Sequence, residues 1–310
     1  MYLTLVGGVI EGHGQNRADS TVLAQSEALK EKGKCKEAVA RLTPLAERPQ
    51  PSVDALLLRA RCRIDFLGQT EPGMNDLFAA LRIEPDNPRV RTYRGRVYND
   101  LRMYDRALED LNIAVAHATD TADLKKALCT RGANYNDTRR FEEAIADYER
   151  VLAIDSNDTW ALNNGAMALH EVGRKEETFV YLRRYLALEP KDLPGLLNMA
   201  FFLSEEGQYQ EALEWFNKAE AAGGSKNGYL LNNRGYTRFK LGDTKGALKD
   251  IEASLKVMPD NSYAYRNLAL VRFSTGETAK ACEACEQALR MGFTKQYGPE
   301  VKTLYDAKCR

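Results

Sequence analysis

The sequence predicts an all-α protein built as a solenoid of about eight stacked helical hairpins. Two observations predict this fold: a small residue is repeatedly followed twelve positions later by an alanine, and this pair recurs with a period of about 34 residues. The repeated units begin at Asp19, Asp54, Pro88, Lys125, Thr159, Leu193, Gly228 and Ser262. Because each unit of such a repeat contacts only its neighbours, 310 residues can form one elongated domain.

Residues 1–18 precede the first unit and form a tail or the remnant of a leader. The stretch from Leu3 to Ile10 is apolar, and Gly12 and Gly14 follow it, as in a signal-peptide cleavage region, but no basic residue precedes it and it is short. We therefore expect a cytoplasmic protein. Export through a short or truncated N-terminal leader is the alternative.

The unit that begins at Gly228 shows the pattern of every unit. Leu231, Gly235 and Phe239 recur at helical spacing, Gly242–Asp243 marks a turn, and a proline at 259 ends the unit. The second helix carries the apolar stripe Ala247, Ile251 and Leu255. The two helices are thus expected to be antiparallel.

Small residues are expected to let the two helices of each unit approach closely, so a bulky residue at these positions would push them apart. On the first helices they are Gly95, Gly132, Ala166, Ala200, Gly235 and Ala269, and on the second helices Ala107, Ala144, Ala212, Ala247 and Ala281.

Two segments depart from the pattern. Pro72–Gly73 interrupts the unit that begins at Asp54, and we expect its second helix to start late. Residues 294–310 follow the last unit, where Gly298–Pro299 precedes an apolar stripe that includes Val301 and Leu304. This segment is expected to form a helix that caps the exposed end of the solenoid, because a terminal unit has no neighbour.

The residues that carry the repeat resemble those of the tetratricopeptide repeat family over 19–293. The resemblance implies a right-handed α-α superhelical solenoid whose first helices line a concave groove. It also implies a protein that binds other proteins and is not an enzyme.

Arginine at the seventh position of a unit accompanies aspartate at the twenty-third. We expect an ion pair between the two helices of each such unit, half-buried and structural, with solvated aspartates as the alternative. The pairs are Arg94 with Asp110, Arg131 with Asp147, and Arg234 with Asp250.

Asparagine occupies the sixth position of four consecutive units. A side-chain amide both donates and accepts, so a ladder of amides along a groove can bind the backbone of an extended peptide, as the resemblance implies. The alternative is that each amide bonds to a neighbouring helix and only orders the stack. The four residues are Asn164, Asn198, Asn233 and Asn267.

Aromatic and polar side chains accompany this ladder in the C-terminal half. Tyr229, Tyr236 and Tyr263 occupy the second and ninth positions, which are expected to face the groove, and tyrosine is a favoured anchor at interfaces. With Asn232 and Arg266 nearby, this part of the groove suits an extended or carboxylate-bearing segment.

The N-terminal half of the groove is expected to be basic. Arg89, Arg96 and Lys126 lie on first helices and should face the groove, whereas acidic residues concentrate on second helices. This segregation favours an acidic partner segment. The alternative is that these charges form an ordinary solvated face.

The overall charge argues against a nucleic-acid partner. Lys and Arg total 44 residues, and so do Asp and Glu, so no excess positive charge is available to attract phosphates. No apolar run approaches the length of about 18–20 residues that crosses a bilayer, so we expect no transmembrane segment.

The sequence supports no catalytic or cofactor site. His13, His117 and His170 lie in separate parts of the chain, without a nucleophile or paired carboxylate at a suitable spacing. Six cysteines are too sparse for a disulfide framework, so we expect reduced thiols, with Cys282 and Cys285 buried and inert. We expect neither metal nor cofactor.

Two functions follow from these patterns. The first is a non-enzymatic adaptor whose groove holds an extended segment of a partner protein. The alternative is a regulatory or sensory module whose partner binding is switched by a small ligand or by the redox state of Cys282 and Cys285. The partner's identity and the oligomeric state are left open.

Overall fold

The computed structural model describes the backbone of residues 7–309 and the side chains of residues 18–309. The fold over this range is an all-α superhelical solenoid of helical hairpins. The chain divides after Ser156 into two compact parts, called the N-terminal unit and the C-terminal unit. Over the described range, no helix combines the length and the apolar character that a membrane span needs.

The N-terminal unit contains four hairpins, in which odd-numbered helices come first and even-numbered helices second. A turn of π-helix over Cys62–Phe66 continues the third helix. The helices are α1 (Gly7–Glu31), α2 (Cys35–Ala46), α3 (Val53–Arg61), α4 (Thr70–Ile83), α5 (Pro88–Asp100), α6 (Tyr104–His117), α7 (Thr121–Asp137) and α8 (Phe141–Ile154).

The C-terminal unit contains four further hairpins and two short helices after them. A 3₁₀ turn over Gly224–Lys226 connects two of the hairpins. The helices are α9 (Thr159–Glu171), α10 (Lys175–Leu188), α11 (Leu193–Glu205), α12 (Tyr209–Ala221), α13 (Gly228–Lys240), α14 (Thr244–Val257), α15 (Ser262–Ser274), α16 (Thr278–Arg290), α17 (Phe293–Tyr297) and α18 (Glu300–Lys308).

Polar side chains begin the first helices, and glycines end most of them, with Arg102 and Arg139 in the left-handed conformation after α5 and α7. Asn87 accepts a hydrogen bond from the amide of Val90, and Asn227 does the same for Leu230, which satisfies amides that a helix start leaves unpaired. Gly242 follows α13 with φ +86°, a left-handed conformation that glycine adopts without steric cost. These signals set the length of each first helix.

The two helices of a hairpin pack closely where the first helix has a glycine. A Cβ atom on Gly132 would lie 2.8 Å from the ring of Tyr148, and one on Gly235 would lie 2.6 Å from Ile251. Tyr148 and Ile251 are both fully buried. The small residues of the first helices therefore accommodate the largest core side chains of the second helices.

The expectation that the helix around Pro72–Gly73 starts late is wrong. Helix α4 begins at Thr70, so Pro72 lies in its first turn, where the missing amide hydrogen costs no helical hydrogen bond. Gly73 is buried, and a Cβ atom on it would lie 2.4 Å from the side chain of Ile64. Glycine at this position thus makes room for the π-helical turn.

The expectation of reduced thiols is wrong for Cys282. Its sulfur forms a disulfide with Cys309, with Cα atoms 5.7 Å apart, because α18 packs against α16 and brings two cysteines 27 positions apart together. Cys285 is a free, buried thiol, as expected, and burial raises its pKa to about 11. Cys285 is therefore protonated at neutral pH and poorly suited to redox exchange.

Cys309→Ser is expected to lower the free energy of unfolding of the C-terminal unit by about 2 kcal/mol. The disulfide closes a loop of 27 residues and thereby restricts the unfolded chain. Urea denaturation without reductant measures the change, and Cys285→Ser, which breaks no disulfide, is the control. The prediction fails if the two variants unfold at the same urea concentration.

Candidate functional site

Three arginine–aspartate pairs join the two helices of their hairpins. In each pair, Nε and one terminal nitrogen of the arginine donate to the two carboxylate oxygens, at distances of 2.6–3.0 Å. The aspartates are 2–3% exposed. In Arg131, the hydrogen bond with Asp147 raises the pKa of the guanidinium. The pairs are Arg94–Asp110, Arg131–Asp147 and Arg234–Asp250, and their aspartates are unavailable to a ligand.

A fourth pair, Arg59–Asp76, has the same geometry and is missed by the sequence pattern. Nε and Nη2 of Arg59 donate to the two carboxylate oxygens of Asp76 at 3.0 and 2.7 Å. The partners are 17 residues apart instead of 16, because the π-helical turn at Cys62–Phe66 lies between them.

The asparagines form bonds from one first helix to the next. The amide nitrogen of Asn267 donates to Asn232 at 2.9 Å, and that of Asn198 donates to Asn163 at 3.2 Å. Asn267 and Asn232 are 1% and 2% exposed. A similar bond joins Asn134 to Asn99 in the N-terminal unit. These amides order the stack of first helices, which is the role that the sequence left as the alternative.

Two other members of the predicted ladder are less buried. The amide nitrogen of Asn164 bonds to the carbonyl of Trp160 in its own helix, at 3.0 Å. Asn233 accepts a hydrogen bond from Asn232 and lies partly exposed. Asn233 is therefore better placed than Asn267 to offer its amide to a ligand.

A cavity of 220 Å³ opens on the first helices of the C-terminal unit. It brings together four of the predicted residues, Asn233, Tyr236, Tyr263 and Asn267. Four further residues line it, of which Phe201 occupies the same ninth position as Tyr236 and could have been found by that signal, whereas Tyr209 lies on a second helix. The four are Phe201, Ser204, Glu205 and Tyr209.

Two further predicted residues of the C-terminal unit, Arg266 and Tyr229, do not line that cavity. The Arg266 guanidinium lies 5.3 and 5.4 Å from the ring centroids of Tyr236 and Tyr263 and forms an ion pair with Glu300. Tyr229 is 62% exposed and does not line the cavity. Arg266 is therefore held by the protein itself, whereas Tyr236 borders open space.

A second cavity, of 380 Å³, opens on the first helices of the N-terminal unit. The predicted residues Arg89, Arg96 and Lys126 all line it. Arg96 forms ion pairs with Asp65 and Asp100, and Arg89 forms one with Asp54. Its charged lining consists of Lys30, Arg61, Arg89, Arg96, Lys126, Asp65 and Asp123.

No metal site emerges from the described residues. Within residues 18–309, no three histidine, cysteine or acidic side chains lie close enough to hold a metal ion. His170 stacks on Phe202 and contacts Glu205, while His13 and residues 1–17 generally lie outside the described side chains. The arrangement instead offers cavities on the layer of first helices.

Stacked helical hairpins with cavities along their first helices define a class of repeat scaffold. Models of the tetratricopeptide repeat match residues 125–158 and 232–292. These two segments of the chain are tetratricopeptide repeats. Scaffolds of this family bind protein partners and are generally non-enzymatic.

Solved structures of low sequence identity share the fold. A tetratricopeptide repeat protein from Parabacteroides merdae superposes with a TM-score of 0.62 at 20% identity, covering 83% of this chain and 99% of its own. The Cut9–Hcn1 hetero-tetramer of APC/C superposes with a TM-score of 0.69 at 14% identity, covering 93% of this chain and 55% of that chain.

Among curated proteins, FlbA of Caulobacter vibrioides is 34% identical over 73 residues. The match covers 24% of this chain and 12% of FlbA. It spans about two units of the repeat, so it adds no information about the function of the whole protein.

Proposed function

We propose that the protein is a non-enzymatic adaptor that holds an extended segment of a partner protein along its first helices. The observation that carries this proposal is the cavity formed by Tyr236, Tyr263, Phe201 and Asn233 in the C-terminal unit. Its rings can bury an apolar side chain, and the partly exposed amide can pair with the segment's backbone.

The aromatic residues of this cavity belong to separate repeat units. Phe201 lies on α11, Tyr236 on α13 and Tyr263 on α15. Because successive first helices each contribute one ring, a peptide that runs along the stack of helices can contact all three. This placement supports the choice of a peptide over a metabolite.

We further propose that the segment bound by the N-terminal unit is acidic. Arg89, Arg96 and Lys126 lie around one cavity, and Lys126 makes no ion pair with another described residue. Positive charge around a concave surface increases the rate of association with an acidic partner. We expect this attraction to weaken as the salt concentration rises.

For the compartment, we propose the export alternative rather than the cytoplasm. The Cys282–Cys309 disulfide supports it, since such bonds persist mainly in oxidising compartments. Alkylation of free thiols in rapidly quenched cells, followed by mass spectrometry, tests this proposal. Full alkylation of Cys309 in native cells would contradict it.

Replacing Asn233 and Tyr236 together by alanine is expected to weaken partner binding by about thirtyfold, which corresponds to about 2 kcal/mol. The change removes one exposed amide and one ring of the cavity. Affinity capture from the native lysate with wild-type and variant baits identifies the partner, and calorimetry with the purified partner then gives Kd.

The matched control is Tyr104→Ala, which removes a partly exposed ring from second helix α6. We expect this variant to bind the partner with the wild-type Kd. Equal binding by the control and by the Asn233 and Tyr236 double variant would contradict the proposed surface.

A further inference from the structure

Arg61, on α3, forms no direct ion pair with an acid of the described range. It makes no ion pair or hydrogen bond with another side chain in the described range, although its neighbours Arg59 and Arg63 both bind Asp76. Burial and the charge of Arg89 lower the pKa of Arg61. The acids beside Arg59 do the opposite, since they raise its pKa despite burial. Glu27 and Asp65 attract Arg61 only through space, so it is a partly desolvated positive charge that no described acid binds directly.

Arg61 and a buried hydroxyl line the same cavity of the N-terminal unit. The guanidinium carbon lies 5.3 Å from the ring centroid of Tyr93, which holds the side chain in place. The Thr92 hydroxyl is buried and has no hydrogen-bond partner among the described residues. A ligand oxygen atom in this cavity can supply the missing partner for both groups.

A further cavity of 370 Å³ adjoins this position and shares Arg61 and Arg89 with it, and its lining combines the acids Glu27 and Asp54 with an apolar part. Leu23 and Ala24 contribute the accessible apolar part of its lining, while Leu57 and Leu58 are buried beneath it. A free inorganic anion makes no use of such a surface, whereas a peptide can place an aliphatic side chain there next to an acidic one. The two cavities together indicate a protein segment as the source of the anion.

We propose that the N-terminal unit recognises a partner segment in which an aspartate or glutamate carboxylate binds Arg61 and Thr92 and an adjacent aliphatic side chain lies against Leu23 and Ala24. The proposal rests on the adaptor function and names the chemistry of its partner. It also assigns the central role to Arg61, whereas Arg89 and Arg96 already have acidic partners within the protein.

The test uses N-acetyl-glutamyl-leucine amide as the probe, titrated into the full chain and followed by two-dimensional NMR. We expect saturable shifts of residues in α3 and α5, at least tenfold weaker binding to Arg61→Gln, and weaker binding to Thr92→Val. Arg106→Gln removes one exposed arginine from second helix α6 and is the charge-matched control, with wild-type affinity expected.

The folding control compares two neighbouring arginines. Arg61→Gln is expected to keep the wild-type Tm, because Arg61 has no ion pair to lose, whereas Arg59→Gln is expected to lower Tm, because Asp76 then loses a buried partner. If Arg61→Gln lowers Tm, Arg61→Lys serves in its place, since it keeps the charge and loses only the two-pronged geometry.

Two further probes decide between the sources of the anion. N-acetyl-glutaminyl-leucine amide lacks the carboxylate and is expected to bind at least tenfold more weakly. Inorganic phosphate is expected to bind more weakly than the acidic dipeptide. The proposal is overturned if phosphate binds as tightly as the dipeptide, if the neutral dipeptide binds equally well, or if Arg61→Gln binds like the wild type.

This result is independent of partner capture by the C-terminal unit, because the dipeptide titration requires no partner protein. Loss of capture in the Asn233 and Tyr236 double variant with wild-type dipeptide binding supports both proposals. Dipeptide binding that depends on Arg61, without any effect of the double variant on capture, overturns the C-terminal cavity alone.

Discussion

Asp250→Ala is expected to lower the free energy of unfolding of the C-terminal unit by about 3–5 kcal/mol. The Asp250 carboxylate accepts hydrogen bonds from Nε and Nη2 of Arg234 and from Nη1 of Arg238, at 2.7, 3.0 and 2.8 Å. The side chains of Arg234 and Asp250 are each 4% exposed. Removing the carboxylate therefore leaves a desolvated guanidinium without its main partner.

Removing both charges of the Arg234–Asp250 pair is expected to lower the free energy of unfolding less than removing Asp250 alone. The double change Arg234→Met and Asp250→Leu replaces the ion pair with apolar side chains, so no buried charge is left unpaired. Urea denaturation followed by circular dichroism gives the free energy of unfolding of each variant. A double variant that is less stable than Asp250→Ala would contradict this account of the pair.

The control for this experiment is Glu220→Ala. Glu220 also binds Arg234, but its side chain is 41% exposed, so water competes for the interaction. We expect this variant to lose less than about 1 kcal/mol. If Glu220→Ala lowers the free energy of unfolding as much as Asp250→Ala does, the exposure of the carboxylate does not determine the size of the effect.

The fold was predictable from the sequence because the same spacing of small residues recurs in most of the units. A small residue on the first helix faces a large one on the second, as Gly132 faces Tyr148. The Arg–Asp pairs followed from the same register. Arg59–Asp76 was missed because the π-helical turn changes its spacing by one residue, and no residue type announces such a turn.

The site was predictable only in part, because helical position does not specify what a polar side chain contacts. The repeated positions of Asn233 and Asn267 are equivalent, yet the former is partly exposed and the latter is 1% exposed. Asn232 bonds to both of them, so the bond itself does not distinguish the two positions. The Cys282–Cys309 contact depends on how α18 packs, and the repeat pattern does not reach that helix.

The candidate binding residue Arg61 illustrates the same limit. Arg59, Arg61 and Arg63 are alternate residues of one basic stretch, and the sequence alone does not distinguish them. In the structure, Arg59 and Arg63 converge on Asp76, while Arg61 lines a cavity. What separates them is the presence of an acid across the hairpin, which only the packing of α3 and α4 reveals.

Gly132→Val is expected to lower the free energy of unfolding of the N-terminal unit by about 3 kcal/mol, near the upper end of the usual cost of overpacking. A Cβ atom at this position would lie 2.8 Å from Cε1 and Cζ of Tyr148. The Tyr148 ring is fully buried, so it has no free space to move into. Separation of α7 from α8 is then the remaining way to relieve the clash.

A double-mutant cycle tests whether this clash is the cause. Tyr148→Ala removes the ring and is itself expected to cost about 3–5 kcal/mol, because it leaves a cavity. In the combined variant, valine at position 132 fills part of that cavity, so the combined loss should be smaller than the sum of the two single losses by at least about 1 kcal/mol. Urea denaturation of the four proteins measures this coupling. Strictly additive losses would mean that Gly132 is required for some reason other than its contact with Tyr148, and the general packing rule for these hairpins would then lose its best-defined example.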